Sequence, residues 1–323
     1  MKKKWYTIAS LLLVILLSLS CNFSRRITTG QTLVPTTGLV TTSATAYATE
    51  SPVESAVPSQ TATPSQPRIP PASGPCPEFK NGFVTFSPEG ISPRSVFLRI
   101  GSKGGGPVVF WWHGMGGKAE NVLIGLGQDE ISEITAQGGV VISFESDPAA
   151  EGEWFLNTTD RQDDLLVADL ALACAVQEKQ VDITHIHVAG FSAGGKQAAQ
   201  MAIRRSSYVA SVVLYSGGLF PETMVPHPPY EDPGNQFPSL VFWGGPGDIV
   251  VANNELAAHD YYDFVSSNGN LAIMCNHGRG HTIPPDGPAA AWRFFQDHPW
   301  GISPEPYLKG VPPEIPNYCL VNP

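Results

Sequence analysis

The chain has 323 residues, a net charge of −10, 42% hydrophobic residues and only 15% charged ones. That length accommodates one large domain or two modest ones, with a sizeable core either way. The acidic balance argues against nucleic-acid binding, since the only clustered cations are Lys2, Lys3 and Lys4, and a single long apolar run excludes a multi-span membrane protein.

The first twenty residues read as an address. Lys2 to Lys4 form a basic n-region, and Ile8 to Leu19 form a short apolar h-region broken by Ser10 and Ser18. Ser20-Cys21 follows, the layout of a bacterial secretory signal. A Cys directly after the h-region resembles the lipobox of bacterial lipoproteins, in which the signal is cut before a Cys that carries lipid. Ser18 and Leu19 depart from the Leu and small residue preferred there. The expectation is a lipid-anchored protein of the cell envelope. An ordinary cleaved signal with secretion, or an uncleaved anchor, are the alternatives.

Residues 21–74 read as a disordered linker. From Thr28 to Gly74, Thr, Ser and Pro make up about half the residues, and only Glu50, Glu54 and Arg68 are charged. Such a stretch buries too little apolar surface to offset its ordering entropy. Frequent Pro favours an extended stalk. A β-rich structured region is the alternative.

Residues 75–323 read as one α/β domain. Val84 to Phe86 and Val96 to Ile100, flanked by Pro and Gly, suit an antiparallel opening pair. Then come short apolar runs: Val108 to Trp112, Gly139 to Phe144, Ile183 to Ala189, Val209 to Tyr215, Leu240 to Trp243 and Leu271 to Cys275. Their β-branched and aromatic content suits buried parallel strands. Helix-like stretches alternate with them: Glu120 to Gln137, Arg161 to Gln180, Ala193 to Arg205 and Asn253 to Ser267. The alternation predicts a doubly wound, mostly parallel sheet.

Beyond Cys21, four cysteines remain: Cys76, Cys174, Cys275 and Cys319. An even count in an exported chain predicts two disulfides, for which three connectivities exist. Cys275–Cys319 and Cys76–Cys174 are favoured, because the irregular tail around Cys319 needs tying down. Buried free thiols are the alternative. No C-x-x-C spacing and no H-E-x-x-H occurs, so no metal site is expected.

The chemistry concentrates at Gly190-Phe191-Ser192-Ala193-Gly194. It matches G-x-S-x-G, the nucleophile elbow, between a strand-like and a helix-like run. Ser192 then lies at the carboxyl end of a central strand, where ligands bind in such sheets. The following helix N-terminus favours developing negative charge. A second motif overlaps: Gly190 with Gly195-Lys196 satisfies the G-x-x-x-x-G-K of a phosphate loop. Gln197 stands where that loop needs a hydroxyl for Mg²⁺, and ATP is not expected outside a cell.

A serine hydrolase needs a base, an acid and an oxyanion hole. His281, in Gly278-Arg279-Gly280-His281-Thr282, is the candidate base, with His277 as runner-up. Asp248, reached from the strand Leu240 to Trp243 through a Gly-rich turn, is the candidate acid. Asp260 and Asp263 fall on a helix-like stretch and are weaker. The order Ser192, Asp248, His281 is that of α/β-hydrolases. His113-Gly114-Met115-Gly116-Gly117 can aim the Met115 N–H at an oxyanion, beside the N–H of Ala193. Each piece alone is commonplace: a Gly-rich turn is usually only a turn. Their joint occurrence, each after its own strand, carries the reading.

His113-Gly-Met-Gly-Gly, Gly190-Phe-Ser-Ala-Gly-Gly, the Gly244 to Asp248 turn and Gly280-His281-Thr282 resemble the secreted polyhydroxybutyrate depolymerase and feruloyl esterase group of α/β-hydrolases. The resemblance covers most of residues 76–298. It implies the α/β-hydrolase fold and carboxylic-ester hydrolysis by a Ser-His-Asp triad without a cofactor. Gly-Gly-Pro-Gly-Asp replaces the His-Gly usual at the acid turn, and residues 299–323 have no counterpart.

The partner expected is a small-molecule or polymer ester, with no nucleic acid, and a membrane reached only through the lipid anchor. Trp154 and Phe155 are expected to overhang the site and bind substrate, or else to anchor their loop on the core. Phe220 to Phe237, with Tyr230, is a candidate second wall. A serine peptidase of prolyl-oligopeptidase type shares the triad order, but residues 22–74 are too short and polar for its propeller. A non-catalytic surface protein on this fold would need a broken triad, and the sequence breaks none of its parts.

Overall fold

Val108, Phe110 and Trp112 pack on one side of their strand, and Val109 and Trp111 on the other, each side inside a buried apolar cluster. This two-residue alternation is what a strand covered on both faces requires. The structure is a computed structural model, describing residues 66–150, 153–156 and 161–321. The signal segment, Cys21 and the linker as far as residue 65 lie outside the described residues.

Eleven strands are described: β1 (Gly82–Phe86), β2 (Arg94–Ile100), β3 (Val108–Trp112), β4 (Val140–Phe144), β5 (Ile186–Phe191), β6 (Ser211–Tyr215), β7 (Ser239–Trp243), β8 (Ile249–Val250), β9 (Ala252–Asn253), β10 (Ala272–Asn276) and β11 (Cys319–Val321). Nine of them form one sheet, ordered β1-β2-β4-β3-β5-β6-β7-β10-β11. The six from β4 to β10 run parallel, while β1, β2 and β11 add antiparallel edges. β8 and β9 form a separate small hairpin with Val251 at its tip.

The helices are α1 (Val122–Gly125), α2 (Gln128–Ala136), α3 (Asp163–Lys179), α4 (Ala193–Arg204), α5 (Asn254–Ser267) and α6 (Gly287–Asp297). α3, α4 and α5 cover one face, contributing Leu170, Ala202 and Tyr261 to its cluster. α1, α2 and α6 cover the other with Val122, Ile134 and Phe294. The doubly wound, mostly parallel sheet expected from the alternation is present.

Three local outcomes differ from the sequence reading. The single helix expected over 120–137 is broken at Gly127, whose φ of 80° no helix accommodates. α6 was not anticipated, because Gly287-Pro288 reads as loop. Pro within the first turn of a helix costs nothing, since its missing N–H would be unpaired there anyway. The tail contains β11, paired antiparallel to β10 with Cys275 opposite Cys319.

Both favoured disulfides are formed, Cys76–Cys174 and Cys275–Cys319. They fit an oxidising, extracytoplasmic location. Among the described residues no helix is long and apolar enough to cross a membrane. Residues 66–74, counted with the linker in sequence, run along the domain. The Arg68 N–H donates to the Ser207 carbonyl at 2.8 Å, and the Glu89 N–H donates to the Ser73 carbonyl at 2.7 Å.

A buried ion cluster holds the loop after β4. Arg94 donates to Asp147 and to Asp164, each at 2.8 Å, and all three are buried. Burial raises the Asp164 carboxyl above its usual pKa, against the pull of Arg94 and of the Phe155 N–H. Arg94→Met strips both carboxylates of their cation inside the protein. The expected loss is ~3–5 kcal/mol of unfolding free energy, read by chemical denaturation. A loss under ~1 kcal/mol, the surface-pair range, would refute this role.

Candidate active site

β5 ends and α4 begins across a single residue, Ser192, at φ 59° and ψ −120°. A non-glycine side chain rarely adopts this backbone conformation, and such strain gathers at functional sites. Glycine on either side makes the turn possible. A Cβ on Gly190 would fall 2.1 Å from the Gly194 carbonyl oxygen, and one on Gly194 would fall 2.0 Å from that of Trp112. The Ser192 N–H donates to the Tyr215 carbonyl of β6 at 2.9 Å, tying the elbow to the neighbouring strand. The sharp turn predicted from the motif is therefore present.

His281 reaches Ser192 from the loop after β10. Its Nε2 lies 2.9 Å from Ser192 Oγ, and its Nδ1 lies 2.7 Å from Asp248 Oδ1. With the proton on Nδ1, the imidazole donates to Asp248 and accepts from the serine hydroxyl. The Phe191 ring packs on His281 with centroids 4.8 Å apart. Asp248 follows β7 and is fully buried. Burial alone would raise its pKa. Hydrogen bonds from His281 and from the Gly244 N–H, the latter at 2.9 Å, outweigh it and hold the carboxyl below its usual value. The three residues singled out in sequence thus come together in one hydrogen-bonded chain.

The runners-up do not join it. His277 accepts from the Arg279 N–H at 3.2 Å. Asp260 and Asp263 ride on α5, as their helical spacing implied.

The Gly-rich turn after β3 lies against the elbow. A Cβ on Gly114 would come within 3.2 Å of Ser192 Cβ. The turn is braced from the loop after β4: Trp154 Nε1 donates to the His113 carbonyl at 3.0 Å, and the Gly116 N–H donates to Glu153 Oε2 at 2.9 Å. Met115 and Ala193, the predicted oxyanion-hole residues, line the same cavity as Ser192.

That cavity measures about 470 Å³, within the range of small-ligand sites. Its wall is mainly apolar: Leu156, Phe220, Pro221, Met224, Leu256 and Ala257 among others. The β8–β9 hairpin closes one side with Val250 and Val251. The segment from Phe220 supplies a wall through its first residues. Tyr230 instead stacks between Phe237 and Phe264.

Two readings were open for Trp154 and Phe155, binding substrate or anchoring their loop on the core, and the packing of Trp154 is that of the second. Trp154 is fully buried, edge-on to Trp112 at 5.0 Å, and anchors its loop. The Phe155 ring carries the Arg161 guanidinium at 4.0 Å and is not among the residues lining the cavity. Burying a large indole with its N–H satisfied stabilises the fold more than exposing it at a mouth. Leu156 takes the wall position instead.

Two residues at the site escaped the sequence reading. Asn254, the first residue of α5, places its Nδ2 3.3 Å from Asp248 Oδ1, and its backbone N–H donates to the Asp248 carbonyl at 3.0 Å. Lys196, one turn along α4 from Ser192, donates from Nζ to Asn254 Oδ1 at 2.7 Å. That bond fixes the Asn254 amide so that its NH₂ faces the acid. The only signal for Lys196 was the rejected phosphate-loop match, and Asn254 had none.

No protein-family model and no curated protein sequence matches the chain. Solved structures do. The crystal structure of native pOPH is similar with a TM-score of 0.64 and 17% identity, covering 79% of this chain and 98% of that one. A pOPH variant in complex with DMSO gives 0.64 at 16% identity, over 80% and 97% of the two chains. Native sOPH gives 0.59 at 20% identity, over 77% and 98%. At such identities the likeness is one of fold. The parallel sheet, the serine elbow after β5 and the loops after β7 and β10 converging on it make that fold the α/β-hydrolase fold.

Proposed function

We propose that this chain is a serine hydrolase of carboxylic esters, related in type to feruloyl esterases and polyester depolymerases. The observation that carries the reading is the hydrogen-bonded chain Ser192–His281–Asp248 opening into an apolar cavity. The acyl group lodges in that cavity and the alcohol faces solvent. His281 Nε2 takes the Ser192 proton as Oγ bonds to the ester carbonyl carbon. Asp248 holds the imidazole tautomer and stabilises the imidazolium. The N–H groups of Ala193 and Met115 receive the oxyanion. The C–O bond then breaks, and the alcohol leaves with the proton from His281. Water, deprotonated by His281, attacks the acyl-serine, the bond to Ser192 Oγ breaks, and His281 returns the proton to Oγ as the acid is released. Every step uses protein groups and water alone.

The test is covalent labelling. A fluorophosphonate is expected to add one phosphonyl group at Ser192, found by peptide mass analysis, and to abolish hydrolysis of short aryl esters. A wild-type protein inert to both the reagent and a broad ester panel would favour a non-catalytic surface role.

We further propose export and lipid anchoring at Cys21, resting on the basic n-region, the apolar h-region and the cysteine after it. One acyl chain anchors only marginally, whereas the several chains of a lipoprotein hold firmly. Cys21→Ser is expected to move the protein from the membrane fraction to the soluble one. Equal membrane association of both forms would refute lipidation.

A further inference from the structure

Among the described residues, Lys196 is the only charged one lining the cavity beside Ser192. It is 5% exposed. Burial lowers its pKa to about 8, opposed by the charge of Asp248, so it remains mostly protonated at neutral pH. An ammonium has three N–H donors. One goes to Asn254 Oδ1, and the Phe220 ring lies 5.6 Å from Nζ. No other acceptor among the described residues bonds it.

Holding the Asn254 amide does not call for a charge. A neutral donor does so at a smaller desolvation cost. Solvent satisfies the spare donors while the cavity is free. An acyl chain filling the cavity displaces that solvent. A purely alkyl chain then leaves charged donors without an acceptor in apolar surroundings, which is costly. A site built around such a donor discriminates against analogues lacking the matching acceptor.

We propose that Lys196 is a specificity-determining residue that selects esters whose acyl chain carries a second, uncharged oxygen acceptor, a carbonyl within reach of Nζ. This rests on the ester-hydrolase reading above. An uncharged acceptor suits the site better than a carboxylate. Asp248 already lies near Lys196, and an oxyanion develops at Ser192 during the reaction, so a further buried negative charge meets repulsion from both. The acceptor bonds to Lys196 without taking part in the chemical steps.

The experiment compares kcat/KM for near-isosteric 4-nitrophenyl esters: pentanoate, its 3-oxo and 4-oxo analogues, and hydrogen succinate. Non-enzymatic hydrolysis is subtracted. Wild type is expected to favour the better oxo ester over pentanoate by ~10–100-fold, the range of a hydrogen bond to a charged group, and to disfavour hydrogen succinate. Lys196→Met is expected to bring the oxo-to-alkyl ratio close to one, and Lys196→Arg to restore part of it. Wild type treating oxo and alkyl esters alike would overturn the proposal, without any variant needing to fold. So would a ratio unchanged in Lys196→Met, or a preference for hydrogen succinate. A wild type that turns over pentanoate without oxo preference refutes only this proposal, whereas one inert to every ester refutes the hydrolase reading beneath it.

Discussion

Ser192→Ala is expected to lower kcat on short-chain aryl esters by on the order of 10⁴–10⁶, because nucleophile and base act as one unit. The bond between His281 Nε2 and Ser192 Oγ at 2.9 Å is what makes them one. His281→Ala is expected to cost about as much, and the double variant little more than either. His277→Ala is expected to leave kcat nearly unchanged, since that ring faces the Arg279 N–H and Tyr318. Steady-state kinetics on protein with an unchanged circular-dichroism spectrum checks all four. A folded Ser192→Ala protein retaining wild-type rates would remove the mechanism.

Asp248→Asn is the second large effect, a fall in kcat on the order of 10⁴. An amide in that place donates toward Nδ1 and drives the imidazole into the wrong tautomer. Nε2 then carries the proton and cannot take one from Ser192. Asp248 is fully buried and receives the Gly244 N–H and the Asn254 NH₂ besides His281. Among the described residues no other carboxylate bonds His281, so no substitute acid is at hand. The measurement is kcat for the variant against wild type, with Asp260→Asn as control. Near-wild-type kcat in Asp248→Asn would show that another group orients the histidine.

These expectations start from residues that were legible without coordinates. A strained turn between strand and helix needs small neighbours, so the elbow announces itself through Gly190 and Gly194. Buried parallel strands need continuous apolar runs, so β3 to β7 and β10 stand out by composition. The acid and base follow strands in a fixed order because ligands gather at the carboxyl edge of such a sheet. The favoured disulfide pairing also holds, joining Cys319 to the strand that orders its tail.

What eluded the sequence depends on partners far away along the chain. Whether Trp154 lines a mouth or fills a core is decided by the His113 carbonyl, 41 residues earlier, and by the Arg94 cluster that fixes its loop. Lys196 and Asn254 meet across 58 residues, and neither has a local pattern that anticipates the other. α6 hides behind a Pro that terminates helices elsewhere but is tolerated in a first turn. Local composition and spacing determined the sheet, the elbow and the candidates Ser192, Asp248 and His281, because those rest on backbone sterics and strand burial. Only the tertiary structure decided which side chains wall the cavity and that a buried lysine is one of them, because contacts between distant segments set which face of a loop turns inward.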